Sequence, residues 1–463
     1  MSAVSSRDGL GSILNASATR GPAVALHRRN VLFLAYFFPP LGGPGVQRSL
    51  KTVKYLPEHG WDPIVLTVKD ILYYVHDPEL AAEIPPTARV VPTESFDPLR
   101  IGHLVRELRA GGEAARPLSI TTNSSAVNAY RALRDFLTFP DAHAGWIPFA
   151  VRRGLQLIRS HRIPVIYTAG APYSSTVAAY LLSRASGVPY VVDFRDGWTD
   201  DQYQNYPTSI HLQAHRALER LVVTNAAAVV TVVPSLTQQL AQRYPELGGR
   251  VSTITNGFDP ADMNRVTPVA RGKGVRRIVY SGSMHEHHKA NFVALLDALH
   301  GLDSATQARL EILFVGTTFE GSQDLVDRAG LSKQVRFLGY QPHSIALDYL
   351  ASADATLLFV RPGDRDSVTG KVFEYLMVGR PVLAGVESGG QCANILESAG
   401  FSEWRYDPAS GSQLAAHIRE LVRRDWPAPA RSSASPFSRR THAAAFARIF
   451  ESAARTPRTV TPE

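Results

Sequence analysis

Residues 366–387, DSVTGKVFEYLMVGRPVLAGVE, gather more groups able to do chemistry than any other stretch of the chain. Two carboxylates, Asp366 and Glu374, flank Thr369-Gly370-Lys371. The apolar run 372–377 that carries Glu374 reads as a helix, Gly379-Arg380-Pro381 breaks it, and 381–384 reads as a buried strand. A helix that opens with Gly and Lys offers free N–H groups and a partial positive charge, which suit phosphate. Glu374, in its first turns, can accept hydrogen bonds from a ribose diol. The two features together point to a nucleoside-diphosphate site. An ordinary amphipathic helix with a surface Glu and Lys would carry the same letters, so other motifs have to agree.

Three other constellations bear on this. Gly42, Gly43 and Gly45 lie between the first strand and the first helix, where glycine lets the backbone approach a ligand and present N–H donors. Their spacing is not GxGxxG, so no nicotinamide dinucleotide fingerprint is supported, and a Gly/Pro-rich turn without a ligand reads the same. Asp193-Phe194-Arg195-Asp196-Gly197-Trp198 falls at a strand end. Asp193, Arg195 and Asp196 are therefore expected to point into a cleft and bind hydroxyl-rich substrate, with Trp198 packed on a sugar face. An internal Asp–Arg ion pair is the plain alternative. Asp141 and Trp146 are expected along the same cleft. In 281–289, SGSMHEHHK, Lys289 could aim a compact positive charge at a diphosphate. His285, His287 and His288 invite a metal, but no second ligand cluster is visible and no metal is assigned.

These groups need elements to hold them. Strands are expected at 30–36, 62–68, 89–92, 164–168, 188–194, 228–233 and 251–255, with helices at 46–59, 147–160, 174–186 and 211–224. After a basic connector the alternation restarts, with strands at 277–281, 311–315, 335–338, 355–360 and 381–384. Strands separated by helices imply parallel sheets with right-handed crossovers. Two such sets imply an α/β protein of two doubly wound, Rossmann-like domains facing across a cleft, with ligands beyond the carboxyl ends of the strands. The expected division is a flexible segment 1–28, an acceptor domain 29–258, a donor domain 259–435, a C-terminal helix 436–455 packing back toward the first domain, and a flexible tail 456–463.

Composition narrows the class. A chain of 463 residues has room for two or three domains, and 44% hydrophobic with 19% charged residues describes a globular protein. A single cysteine, Cys392, rules out an intrachain disulfide and fits a reducing compartment. No run of about 18 apolar residues suggests a spanning helix, and the first 28 residues do not read as a signal peptide. The net charge of +8 comes almost wholly from arginine. No zinc-finger spacing or aromatic RNA-binding pattern accompanies it, so nucleic acid is not an expected partner.

Taken in order, these motifs resemble the GT-B fold glycosyltransferases of the large retaining family 4 type, over residues 30–455 or so. FFPPLGGPGVQRSLKTVKYLPEHGWDPIVLT resembles that family's N-terminal glycine loop and first helix, and VPYVVDFRDGW a subgroup with a D-F-R-D-x-W signature. ITNGFD resembles the usual entry to the second domain, and SVTGKVFEYLMVGRPVLA the donor-binding helix. The resemblance implies no tightly bound cofactor, a nucleotide sugar as co-substrate, and a saccharide or lipid-linked acceptor. It implies that Glu374 bonds the ribose, while Gly42, Gly43 and Lys289, aided by Lys371, hold the diphosphate.

Three positions depart from the pattern. Asp366 replaces the first Glu of a two-Glu motif, Ser283 stands where an Arg is common, and a His expected near Thr168-Ala169-Gly170-Ala171 is absent. Asp193 or Asp196 would then cover part of that His role. The implied activity is retaining sugar transfer in cell-surface polysaccharide or glycolipid assembly. The implied location is the cytoplasm, with basic amphipathic stretches at 98–110 and 147–160 as candidates for peripheral contact with the inner membrane face. A nucleotide-sugar epimerase of the same fold and a degenerate, non-catalytic binding protein are the rival readings.

Overall fold

Short apolar runs such as VLFL, IVLTV and YVVDF suit strands buried on both faces, as parallel sheets require. In the computed structural model, which describes residues 28–73, 76–110, 136, 138–199, 206–424 and 435–455, they form two sheets. The first contains β1 (Arg29–Leu34), β2 (Trp61–Val68), β3 (Arg89–Thr93), β4 (Ile166–Ala169), β5 (Tyr190–Phe194), β6 (Ala228–Thr231) and β7 (Val251–Thr253), in the order β3-β2-β1-β4-β5-β6-β7. The second contains β8 (Arg276–Ser281), β9 (Leu310–Val315), β10 (Val335–Gly339), β11 (Ala355–Phe359), β12 (Val382–Gly385) and β13 (Arg405–Tyr406), in the order β10-β9-β8-β11-β12-β13. Every strand pairing is parallel. The expected two doubly wound domains are present, and each expected strand lies within two residues of its anticipated ends. The two-residue β13 at the sheet edge was not anticipated. The segments 1–28 (all but residue 28) and 456–463, expected from the sequence to be flexible, lie outside the described residues.

Both sheets reverse their strand order beside their first strand, between β1 and β4 and between β8 and β11. At such a point the two flanking loops leave in opposite directions and open a crevice at the carboxyl end of the sheet. In the second domain, alternate side chains of one strand serve different cores. Ile278 and Tyr280 enter one cluster, while Val279 enters the cluster that also holds Val372, Phe373 and Tyr375.

The helix Arg439–Arg455 joins the first domain. Its Phe446, Ala447, Phe450 and Ala453 are buried in that core, with Phe446 edge-on to Tyr167 (5.5 Å) and Phe450 edge-on to Trp61 (5.6 Å). The two passages of chain between the domains are hydrogen-bonded to each other. Phe258 N–H donates to Phe437 O (3.0 Å), and Arg439 N–H donates to Phe258 O (2.8 Å).

The helix Ile147–His161 uses its apolar stripe internally, burying Ala150, Gly154, Leu157 and Ile158. A Cβ on Gly154 would lie 2.7 Å from Leu182 Cδ1, so glycine permits the close approach of the helix Tyr173–Ser186. This corrects the expectation of a membrane-facing stripe at 147–160, because the apolar residues needed for it are inside the protein.

Candidate active site at the domain cleft

The helix Lys371–Val378 buries Val372, Phe373, Tyr375, Met377 and Val378 and ends at Gly379. The φ of 68° at Gly379 is left-handed, and its N–H returns to Tyr375 O (3.0 Å), a common glycine stop. Burial of that face leaves Lys371 and Glu374, three positions apart, on neighbouring parts of the surface. Lys371 Nζ donates to Tyr280 Oη (2.6 Å) and to Ser283 O (2.8 Å), and it lies 4.4 Å from the Tyr280 ring centre. Burial pushes its pKa down to about 8, and the charge of Glu374 opposes the fall only in part. Beneath it, Gly282 has φ 98°, and a Cβ there would sit 2.5 Å from Lys371 Cε. Only glycine suits both the backbone and the close approach. Ser281 N–H donates to the buried Tyr375 hydroxyl (2.9 Å), so this helix pins the whole 281–283 turn at the end of β8. The N–H groups of Gly370 and Lys371 lie ahead of the first intrahelical bond, from Val372 N–H to Thr369 O (3.2 Å). Glu374 is partly exposed, and its Oε1 is 3.1 Å from His343 Nε2.

Lys289 opens the helix Lys289–His300, but its amine pairs with exposed Glu286 (2.9 Å) and lies 5.9 Å from the Phe319 ring. It shares no partner with Lys371. The nearby histidines form a local cap, in which His285 N–H donates to His288 Nδ1 (3.1 Å) and His288 N–H donates to His285 O (2.9 Å). Burial, then the charges of His287, Lys371 and His285, pushes His288 down to about 3, so it is neutral at physiological pH. Among the described residues, Glu83, Asp259 and Asp262 are the carboxylates grouped closely enough for a metal. Lysines fill that space. Lys51 Nζ reaches Glu83 (2.8 Å), Asp259 (2.8 Å) and Asp262 (3.1 Å), and Lys54 reaches Glu83 and Asp259.

A cavity of about 590 Å³ lies between the domains. Arg195, Asp196, Gln239 and Asn256 line it from the first domain and its exit, and Arg361, Asp364, Arg365 and Asp366 from the loop after β11. Asp366 is exposed there, on the loop that leads into the Glu374 helix.

Residues 42–257 match the family model of the glycosyl transferase 4-like domain, and residues 275–424 match that of glycosyl transferases group 1. The chain is a glycosyltransferase of the GT-B fold. No curated protein matches it. Its fold is similar to that of a glycosyltransferase from Rickettsia africae, at 13% identity over 93% of this chain and 100% of the other, with a TM-score of 0.53. It is also similar to a structure from E. coli described as trehalose-6-phosphate bound with UDP-2-fluoro glucose (12% identity, 92% and 97% covered, TM-score 0.52). A putative UDP-N-acetylglucosamine 2-epimerase from Listeria monocytogenes shares the fold as well (11% identity, 90% and 94% covered, TM-score 0.51).

The glycosyltransferase places its first-domain candidates unevenly. Gly43, with φ 92°, precedes the helix Pro44–Tyr55, and a Cβ on Gly45 would lie 3.3 Å from Arg195 Nη1. Arg195 donates to the carbonyls of Gly45, Gly170 (3.4 Å) and Ala171 (2.7 Å), tying the glycine loop to the loop after β4 while also lining the cavity. Asp193 does not face the cleft. It still lies inside the sheet, in register with Ala169 and Val230, and it is wholly buried against Arg48 and Tyr167. The internal ion pair set aside as the plain alternative is what forms, with Arg48 rather than Arg195 as its cation. Trp198 is likewise buried, stacked 4.4 Å from Tyr173 with its indole N–H on His215 Nδ1 (3.0 Å). Trp146 is buried with its N–H on Thr93 Oγ1 (2.8 Å). Asp141 accepts from Ser174 N–H (2.9 Å) and Ser174 Oγ, capping the helix Tyr173–Ser186. Of the D-F-R-D-x-W stretch, Arg195, Asp196 and Gly197 line the cavity. Arg361 and Arg365, the candidates to replace the charge missing at Ser283, both line the cavity. Arg48 and His343 went unnoticed in the sequence, because no local spacing marks a residue whose partner is remote in the chain.

Proposed function

We propose that this glycosyltransferase takes a nucleotide-sugar donor on its second domain and passes the sugar, with retention, to a saccharide or lipid-linked acceptor on the first. The observation that carries the reading is the convergence of Lys371, Glu374 and the glycine turn 281–283 at the β8/β11 switch point. Glu374 accepts from the ribose hydroxyls. The diphosphate lies against the Gly282 turn and the N–H groups of Gly370 and Lys371, with Thr369 beside them and the loop of Gly42, Gly43 and Gly45 opposite. Two of the three Lys371 donors are engaged by Tyr280 and Ser283, which fixes the ammonium and leaves one N–H for a phosphate oxygen. A fixed cation there stabilises charge that develops on the leaving diphosphate. That diphosphate in turn assists deprotonation of the acceptor hydroxyl on the same face, so the protein contributes mostly positioning. Asp196 and Asp366, on opposite walls of the cavity, orient the sugar and the acceptor. Lys289 adds long-range charge.

No tightly bound cofactor is required. The cytoplasmic setting, cell-surface polysaccharide or glycolipid assembly, and peripheral contact with an anionic membrane face belong to the same proposal. No helix among the described residues is long and apolar enough to cross a membrane.

The test is thermal-shift screening against nucleoside diphosphates and nucleotide sugars, followed by product analysis. A specific donor raises apparent stability by mass action, and the transfer product appears only with acceptor. Interconversion of one nucleotide sugar into its epimer without acceptor would establish the epimerase reading instead. A ligand-induced shift with no transfer, hydrolysis or epimerisation of the nucleotide sugar would leave the degenerate reading.

A further inference from the structure

We infer that His343 is a positioning residue for Glu374, holding its carboxylate in place for the ribose diol of a nucleoside diphosphate; this rests on the donor site proposed above. His343 is the first residue of the helix His343–Ala351, just beyond β10. Leu347 and Leu350 of this helix pack into the same core as Val372, Phe373 and Tyr375 of the Glu374 helix, so the two helix starts are fixed relative to each other. His343 Nε2 lies 3.1 Å from Glu374 Oε1, with the two side chains 46% and 32% exposed. One carboxylate oxygen is therefore engaged and the group remains within reach of a ligand through the other. A free surface glutamate samples many rotamers, and fixing one on binding costs affinity. The imidazole supplies that fixation before the donor arrives.

The charges around His343 come from every side. Glu374 faces it from the donor helix, Asp262 from the turn Asp262–Arg265 at the domain junction, and Lys51 from the first domain. Lys371 is the cation nearest in sequence to Glu374 and is coupled to it electrostatically. Partial burial works to lower the His343 pKa, but the hydrogen bond and charge of Glu374 and the charge of Asp262 outweigh it, against Lys51, and the net shift is upward. The charged imidazolium is thus favoured between two carboxylates. Asp262 is itself held by Lys51 (3.1 Å).

The experiment measures binding of the common ribonucleoside diphosphates and their 2′,3′-dideoxy counterparts to the full chain by calorimetry across pH, in wild type, Glu374→Gln, His343→Ala and His343→Gln. Wild type should prefer the diol by about tenfold or more, the scale of a charge-assisted hydrogen bond. His343→Ala should lose most of that preference while leaving the dideoxy affinity unchanged. His343→Gln keeps an N–H donor without a titrating group and should restore the preference, flat with pH. In wild type the preference should decline as pH rises through the raised His343 pKa. A merely structural role would weaken both ligand series equally, or lower only the melting temperature, and either result overturns the inference. If Glu374→Gln loses the diol preference and His343→Ala keeps it, this inference falls while the donor site stands. If wild type binds no nucleoside diphosphate, both fall together.

Discussion

Arg48 and Asp193 meet through two parallel hydrogen bonds, Nε to Oδ2 and Nη2 to Oδ1, each 2.7 Å long and closed to solvent. The guanidinium also donates to the carbonyls of Ile254 (2.9 Å) and Thr255 (2.8 Å), where the chain leaves the first domain. Phe446 of the returning helix lies 5.4 Å from the guanidinium carbon. One pair thus fastens the glycine-loop helix, the sheet, the interdomain passage and the last helix.

Removing one partner of such a pair leaves a buried charge uncompensated. Asp193→Asn or Arg48→Ala should cost about 3–5 kcal/mol of stability, whereas replacing both by apolar groups should cost much less. Denaturant unfolding of the single and double variants measures this. Near-normal stability in the singles would show that the pair contributes little.

Glu374→Gln keeps shape and removes charge-assisted acceptance from the ribose, an interaction worth about 1.5–3 kcal/mol. Donor affinity or turnover should fall about ten- to a hundredfold, with folding near wild type. Steady-state kinetics with the donor found by thermal shift checks it, and wild-type kinetics in a folded variant would remove Glu374 from the site.

Lys371 carries a pKa lowered to about 8. A diphosphate placed beside it favours the ammonium, so binding above that pH takes up a proton, and affinity should fall as pH rises past about 8. The sign for stability is the reverse. The unfolded chain holds this proton more tightly than the folded one, so the lysine's cost to folding diminishes as pH rises from about 8 toward its ordinary value. Calorimetry in buffers of different ionisation enthalpy reads the proton uptake directly. Lys371→Met should abolish it and weaken a nucleoside diphosphate more than the bare nucleoside. Lys289→Met, at an exposed pair with Glu286, should do less of both.

For membrane contact the apolar candidates are Phe96, 70% exposed, with Ile101 (47%) and Leu104 (39%) on the helix Pro98–Ala110. The side chains of Arg106 and Arg109, expected to supply charge, fall outside the described residues. Co-sedimentation with anionic vesicles should show binding that weakens with salt and falls in a Phe96→Glu, Ile101→Glu double variant. Equal recovery with neutral and anionic vesicles would leave the protein without this contact.

The α/β architecture was legible because burial of a parallel strand writes itself into neighbouring residues, as in VLFL and YVVDF. The helix that carries Lys371 and Glu374 was legible for the same reason, with apolar spacing and a glycine stop. Asp193 was misplaced because a strand-end motif says nothing about Arg48, 145 residues earlier, which packs on the face where the carboxylate points. Trp198 and Trp146 were misplaced on similar grounds, since an indole suited to a sugar face is equally suited to Tyr173 or to Thr93. His343 gave no local signal at all, because its partner lies on another helix.

The return of the helix Arg439–Arg455 to the first domain has a consequence for synthesis on the ribosome. The first domain emerges first, yet Phe446 and Phe450, which pack on its Trp61 and Tyr167, emerge after the entire second sheet. Until then an apolar face stays open on a nascent chain, a condition that invites chaperone capture. A premature stop just before residue 439 would therefore release a protein with its donor half whole and its acceptor half unsealed.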